Sequence, residues 1–187
     1  LDELLGARSF DAPRVALVED PSEALALRLA LVDAAQQRVD AQYYIWEKDL
    51  AGRVLAQRLF AAADRGVKVR VLLDDVELGP SDVPWLALDI HPCIDVRVFN
   101  PFRSRAHQGW RRLLEGLLAF RRLNHRMHNK AWIADGRLFI GGGRNVADEY
   151  FGAASQFNFR DLDLVVEGEA AAQATAHIEK YEFSPAG

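Results

Sequence analysis

Two hydrophobic periods alternate along this chain, and that alternation limits the folds open to it more than any other feature. Residues 67–73 set Val67, Val69 and Val71 against Lys68 and Arg70, a period of two that fits a strand with one buried face. Just before them, Leu55, Leu59 and Ala62 recur at helical spacing over 50–64, and Arg65-Gly66 stops the helix. The same two signals recur elsewhere. Residues 14–18 read as a short strand. Pro21-Ser22-Glu23 opens a helix running to about residue 37, with Leu25, Leu29 and Val32 at helical spacing. An aromatic-rich strand follows over 39–46. Beyond 73, the pattern predicts a short helix over 82–90 and a strand over 94–99. A hairpin-like pair (130–134 and 137–140), a last strand near 162–166 and a helix from about Ala170 complete it. Strands and helices alternating at these lengths predict an α/β fold, a mixed β-sheet flanked by helices on both faces. With no internal repeat or composition break, residues 1–187 read as a single domain.

Half of the 187 residues are hydrophobic, enough for a well-buried core. A net charge of −4 argues against nucleic-acid binding through the whole surface. The basic residues concentrate in one stretch, where Arg103, Arg105, Arg111, Arg112, Arg121, Arg122 and Arg126 face one acid, Glu115. Leu113, Leu114, Leu117, Leu118 and Phe120 imply a helix inside it. That stretch reads either as a solvated helix face or as a surface near anionic headgroups, where each basic residue contributes roughly 1 kcal/mol. The single cysteine, Cys93, excludes an intramolecular disulfide and fits a reducing compartment. No stretch is long and apolar enough to span a bilayer, and no leader pattern opens the chain. The expected location is cytoplasmic or peripheral on the inner membrane. Leu1 in place of methionine suggests that a natural start, and any anchor with it, lay upstream.

The chemistry concentrates in His128-Asn129-Lys130-Ala131-Trp132-Ile133-Ala134-Asp135, followed by Gly142-Gly143-Arg144-Asn145. Residues two apart on a strand share a face, so His128 and Lys130 are expected to point the same way. Asp135-Gly136 signals a two-residue hairpin turn. With that turn, Gly143 falls opposite His128 and Asn145 one pleat further on. A glycine opposite the histidine leaves space beside the imidazole, bordered by an ammonium, an amide and backbone N–H groups. Such a pocket, with Gly142 and Gly143 as its substrate-binding floor, suits a phosphoryl oxygen.

The pattern His-x-Lys-x4-Asp-x6-Gly-Gly-x-Asn resembles the signature of the phospholipase D superfamily over its full length. The wider likeness runs through Asp40-Ala41-Gln42-Tyr43-Tyr44-Ile45-Trp46, Ala63-Asp64-Arg65-Gly66-Val67-Lys68-Val69-Arg70, Phe99-Asn100-Pro101-Phe102 and Gly143-Arg144-Asn145-Val146-Ala147-Asp148-Glu149-Tyr150-Phe151-Gly152. Together these look like the first half of bacterial cardiolipin synthases, the C type in particular.

That resemblance implies a two-step displacement at phosphorus. A neutral histidine, here His128, forms a phosphohistidine, while a second histidine protonates the leaving alcohol and then activates the incoming one. Lys130 and Asn145 would stabilise charge on the non-bridging oxygens. Asp161 is the expected carboxylate on the far ring nitrogen, with Asp163 as the alternative. Asp135 belongs to the signature but lies at the hairpin tip with opposite parity, so its expected role is structural, closing the turn through local backbone. The resemblance calls for no cofactor, and no Cys/His cluster of metal-binding type is found. Tyr43, Tyr44 and Trp46 read as core or sheet packing. His91, His107, His125 and His177 lack a lysine two residues on and read as non-catalytic. Asp148-Glu149 reads as the start or cap of a helical turn.

One His-x-Lys motif is half of what the family uses. The missing half is expected either from a longer enzyme of which this is the N-terminal part, or from a second copy across a two-fold axis. Gly143 also departs from the serine that many members carry there. The leading expectation is phosphatidyl transfer that builds cardiolipin from phospholipid donors at a membrane surface. The alternatives are a homodimeric phosphodiesterase (nuclease or phospholipase) and a half-domain that only binds lipid. Nucleic acid is the less expected partner.

Overall fold

A computed structural model describes residues 14–74, 88–99 and 127–182. Most of the helix expected over 82–90 lies outside these residues. So do the arginine-rich segment 103–126, His107 and His125. Within them run β1 (Arg14–Val18), α1 (Pro21–Ala34), β2 (Arg38–Tyr43), α2 (Leu50–Asp64), β3 (Lys68–Asp74), β4 (Ile94–Phe99), β5 (Ala131–Ala134), β6 (Leu138–Gly142), a 3-10 turn at Asp148–Tyr150, β7 (Asp163–Glu167) and α3 (Glu169–Glu182). The seven strands form one sheet in the order β1-β7-β6-β5-β2-β3-β4. The β2–β3 and β3–β4 pairs are parallel and the other four antiparallel. The sheet is mixed, as the alternating periods predicted.

Strand parity divides the core between two faces. Trp132 and Ala134 of β5 join Val39, Ala41 and Tyr43 of β2 in the large cluster, which also holds Leu27, Leu31 and Val32 of α1 and Leu55 and Leu59 of α2. Their neighbours Ala131 and Ile133 point the other way and pack with Ile178 of α3. Helices therefore cover both faces. Tyr43, Trp46 and Trp132 pack against one another at 5.5–6.1 Å between centroids, so Tyr43 and Trp46 are core, as expected. Each of the first two helices begins at an aspartate: Asp20 accepts from Glu23 N, with Pro21 at the first helical position, and Asp49 accepts from Gly52 N.

Two local expectations change. The β5–β6 turn is one residue longer than the Asp-Gly signal implied. Ala134 pairs with Leu138, and Ala131 with Gly141. Asp135 and Gly136 both have positive φ, 52° and 64°, but Arg137 stays in the turn, donating its N–H to Ala134 O. The register moves by one, and the placement of Gly143 opposite His128 does not hold.

Asp135 is structural, but its partners are distant in sequence rather than local. Its carboxylate accepts from the backbone N–H of Gln36 (3.0 Å), Gln37 (2.8 Å) and Arg38 (2.8 Å). Those groups run from the α1–β2 connection into the first residue of β2; the helix expected to reach residue 37 ends early, at Ala34. Partial burial works to raise the Asp135 pKa, yet the three N–H donors outweigh it and hold it below the ordinary carboxylate value. A folded-state pKa below the unfolded one contributes stability above the unfolded pKa, near 4, and loses it as pH falls through the folded pKa. Asp135→Ala is expected to cost about 1–2 kcal/mol, because the part-buried Arg38 N–H loses its acceptor while the exposed Gln36 and Gln37 N–H groups turn to water. Urea melts run from neutral pH downward would show that cost shrinking as the pH is taken below the wild-type carboxylate's titration.

Candidate active site

His128 and Lys130 precede β5 on an extended segment fixed at one end by Asp74, whose buried carboxylate at the end of β3 accepts the Met127 N–H at 2.9 Å. His128 is exposed, while Lys130 is 6% exposed. The Lys130 ammonium lies 2.9 Å from Nδ1 and 3.3 Å from Nε2 of His128 and donates to the His128 carbonyl at 2.7 Å. An ammonium can only donate, so a ring nitrogen bonded to it must act as acceptor and carry no proton there. Desolvation lowers the Lys130 pKa below the ordinary lysine value, and the Asp161 carboxylate opposes that shift.

Tyr44 completes this group. Its ring lies 4.8 Å from the His128 ring, tilted by 47°, and the Lys130 Nζ sits 5.5 Å from its centroid. The sequence reading placed Tyr44 in sheet packing with Tyr43 and Trp46. β2 ends at Tyr43, however, and Tyr44 projects beside the segment that carries the histidine. Continuing the Gln42↔Ala131 register brings residue 44 next to 129. Nothing in the local sequence announces that pairing.

Asn145 is 3% exposed and held at both ends of its amide. Its Oδ1 accepts from Ile45 N at 3.2 Å, and its Nδ2 donates to the Tyr150 hydroxyl at 3.0 Å. A parallel bridge between Trp46 and Val146 ties the same two segments together. Ile45 and Tyr44 are consecutive, so the asparagine and the histidine are set by adjacent residues of one strand extension. One Nδ2–H of Asn145 remains for a ligand. Asp148 accepts from Ala51 N at 2.8 Å in the first turn of α2, so it caps that helix while opening its own turn.

The glycine pair is also held by close packing. A Cβ on Gly143 would lie 2.2 Å from Asp161 Oδ1, and a Cβ on Gly142 would lie 2.3 Å from Leu162 O and 2.9 Å from Asp163 Cα. Both glycines admit the segment 161–163 that leads into β7. Asp161 comes to the site, but Leu162 N–H, rather than the imidazole, takes its Oδ1, at 2.8 Å. Asp163 is committed elsewhere: Oδ2 lies 2.8 Å from Arg28 Nη1 and 3.4 Å from Arg144 Nη1, all three side chains within 1% of full burial. Gly142→Ala is expected to cost about 1–3 kcal/mol, because backbone of β7 must give way. Gly143→Ala should cost less, since a flexible carboxylate can swing aside. Paired thermal melts of the two variants check that order.

A family model described as "Cardiolipin synthase, PLD-like domain" matches residues 29–181, and the chain belongs to that family. It is 43% identical over 166 residues to Cardiolipin synthase C of Escherichia coli (strain K12), covering 89% of this chain and 34% of that protein. Cardiolipin synthase 1 of Bacillus anthracis is 29% identical over 184 residues, 97% of this chain and 34% of that one. The chain thus spans about a third of the length of these curated relatives. NucT from Helicobacter pylori shares the fold at a TM-score of 0.66 and 17% identity, covering 90% of this chain and 95% of that one. Phosphatidylserine synthase of Haemophilus influenzae Rd KW20 does so at 0.66 and 16%, covering 91% and 37%. The fold is that of phospholipase D-type proteins. Among the described residues no helix is long and apolar enough to cross a membrane.

Proposed function

We propose that this domain supplies one histidine–lysine half of a phosphodiester-transfer site that builds cardiolipin by moving a phosphatidyl group from a phospholipid onto a second lipid's alcohol. The observation that carries this reading is the pairing of an exposed imidazole with a buried ammonium 2.9 Å away. An accessible nitrogen attacks phosphorus, the bond to the leaving alkoxide breaks, and a phosphohistidine remains. The ammonium and the free Asn145 N–H stabilise the non-bridging oxygens as charge gathers on them. Asp161 acts first on Lys130, keeping it charged against desolvation. Its Oδ2 remains to accept from the imidazole while Oδ1 keeps Leu162 N–H.

The leaving alkoxide needs a proton, and a second histidine of the same kind must bring it. Among the described histidines, His91 is tied to Asp64 at 3.4 Å on α2 and His177 lies on α3, so neither serves, and His107 and His125 lack the lysine two residues on that the motif needs. The second motif comes from further sequence of a longer protein or from a second copy. Because the substrates are bilayer lipids, the site works at a membrane surface.

The test is to incubate the protein with phosphatidylglycerol vesicles, quench in alkali and map phosphorylated residues by mass spectrometry. An acid-labile adduct on His128 supports the reading; adducts confined to other residues would overturn it. Solution mass measured on the same fractions separates a dimer that completes its own site from a half-site that lacks the acid for the leaving alkoxide and forms little adduct. Release to water instead of a lipid alcohol would identify a phosphodiesterase.

A further inference from the structure

We propose that Tyr44 is a positioning residue of the phosphoryl-transfer site, whose ring, not its hydroxyl, holds the His128 imidazole and the Lys130 ammonium in their working arrangement. The proposal rests on the assignment of His128 and Lys130 to that site, and its observation is geometric. One aromatic ring touches both groups, with its centroid 4.8 Å from the imidazole and 5.5 Å from Nζ.

The physical case starts from the exposure of His128. A histidine at the end of an extended segment, with solvent on one side, has several rotamers open to it. Attack on phosphorus requires one of them, and a misplacement on the order of 1 Å costs about 10²-fold in rate. The described groups around the His128 ring are the Lys130 ammonium and the Tyr44 ring. The ammonium is a point charge on a flexible stem, so it orients the ring poorly by itself. A tilted aromatic face removes the rotamers that would swing the imidazole away over β2.

The same ring acts on the lysine. An aromatic face attracts a cation through its quadrupole, and the attraction grows where water is excluded. Lys130 is nearly buried, and the groups that face it are His128, Asp161 and Tyr44. Asp161, the His128 carbonyl and accepting ring nitrogen, and the Tyr44 ring all favour the charged form. Removing the ring takes one of these away and loosens the imidazole that supplies another, so the amine should lose its proton at lower pH. The hydroxyl makes no contact in this account, so phenylalanine should substitute for tyrosine.

The discriminating experiment is an NMR titration that needs no turnover. It follows the Lys130 13Cε and the His128 ring 15N signals in wild type, Tyr44→Phe and Tyr44→Leu, with backbone amide spectra confirming the fold. Tyr44→Leu should lower the Lys130 midpoint and move the His128 ring shifts toward those of a free, tautomer-averaged imidazole. Tyr44→Phe should keep both near wild type. If the leucine variant does not fold, Tyr44→Met removes the ring at similar volume. Unmoved Lys130 and His128 signals in the ring-less variants would overturn the proposal. Equal shifts in Tyr44→Phe would also overturn it, by assigning the effect to the hydroxyl. A phosphohistidine trap that fails on a dimeric fraction while these shifts behave as stated would sink the transfer reading and leave the positioning role standing.

Discussion

His128→Ala is expected to abolish the phosphoenzyme and all phosphodiester turnover while leaving the fold intact. The side chain is exposed and its contacts are to Lys130 and Tyr44; truncating it opens no core cavity, so its melt should stay within about 0.5 kcal/mol of wild type. Lys130→Ala is a different kind of lesion. If the ammonium stabilises the equatorial oxygens of the transferred phosphoryl group, its loss should slow transfer on the order of 10²–10³-fold. It also removes the donor to the His128 carbonyl at 2.7 Å, so part of the loss will come from a looser histidine. The pH dependence separates the two contributions. Activity that needs the ammonium falls as pH rises through the Lys130 pKa, which desolvation sets below the ordinary lysine value. Wild type should therefore lose activity on the alkaline side earlier than an ordinary lysine would dictate. Lys130→Ala should lack that limb at its low rate. Full turnover by the His128 variant would sink the mechanism, and an unchanged alkaline limb in the Lys130 variant would assign the limb to another group.

The parts of this site legible in the sequence were those fixed by short-range geometry. Two-residue spacing put His128 and Lys130 together, and alternating periods gave a mixed sheet with helices on both faces. What failed depended on pairing between distant segments. A turn longer by one residue undid the register argument for Gly143, although both central residues had the positive φ that Asp-Gly implies. The glycines then proved to be sites of close approach by the Asp161–Asp163 strand, a constraint invisible until β6 and β7 are paired. Asp135 was read as structural from parity alone, but its partners lie almost a hundred residues away at the end of α1. Tyr44 was missed because a run of aromatics beside a strand is usually core, as Tyr43 and Trp46 are. Asp74 was passed over for the same reason: its partner, Met127 N–H, is adjacent only in three dimensions.

Asp163→Ala should cost about 3–5 kcal/mol. Its carboxylate is the acid between two guanidiniums, Arg28 at 2.8 Å and Arg144 at 3.4 Å, and none of the three side chains reaches solvent. The arginines have other partners. Arg28 donates to Ala24 O and to the Tyr43 hydroxyl and lies over the Phe151 ring, while Arg144 donates to Val18 O and Glu19 O. Carbonyl dipoles and a ring face ease the desolvation of a guanidinium, but they do not neutralise it. Burial works against the Arg28 charge, and Tyr43 and Asp163 together more than offset it, so the arginine stays protonated. Without Asp163, two like charges would share one dry pocket. The cluster also spans four elements, joining α1, β2 and β7 to the end of β1 through Arg144, so its loss should loosen the start of β7, two residues past Asp161. Arg28→Met makes the argument falsifiable, because it removes one cation and leaves Arg144 and Asp163 as a matched pair. It should cost clearly less than Asp163→Ala in urea melts, and the two costs should be insensitive to salt, since buried charges are poorly screened. Equal costs for the two variants would mean that packing volume, rather than uncompensated charge, is what the cluster contributes.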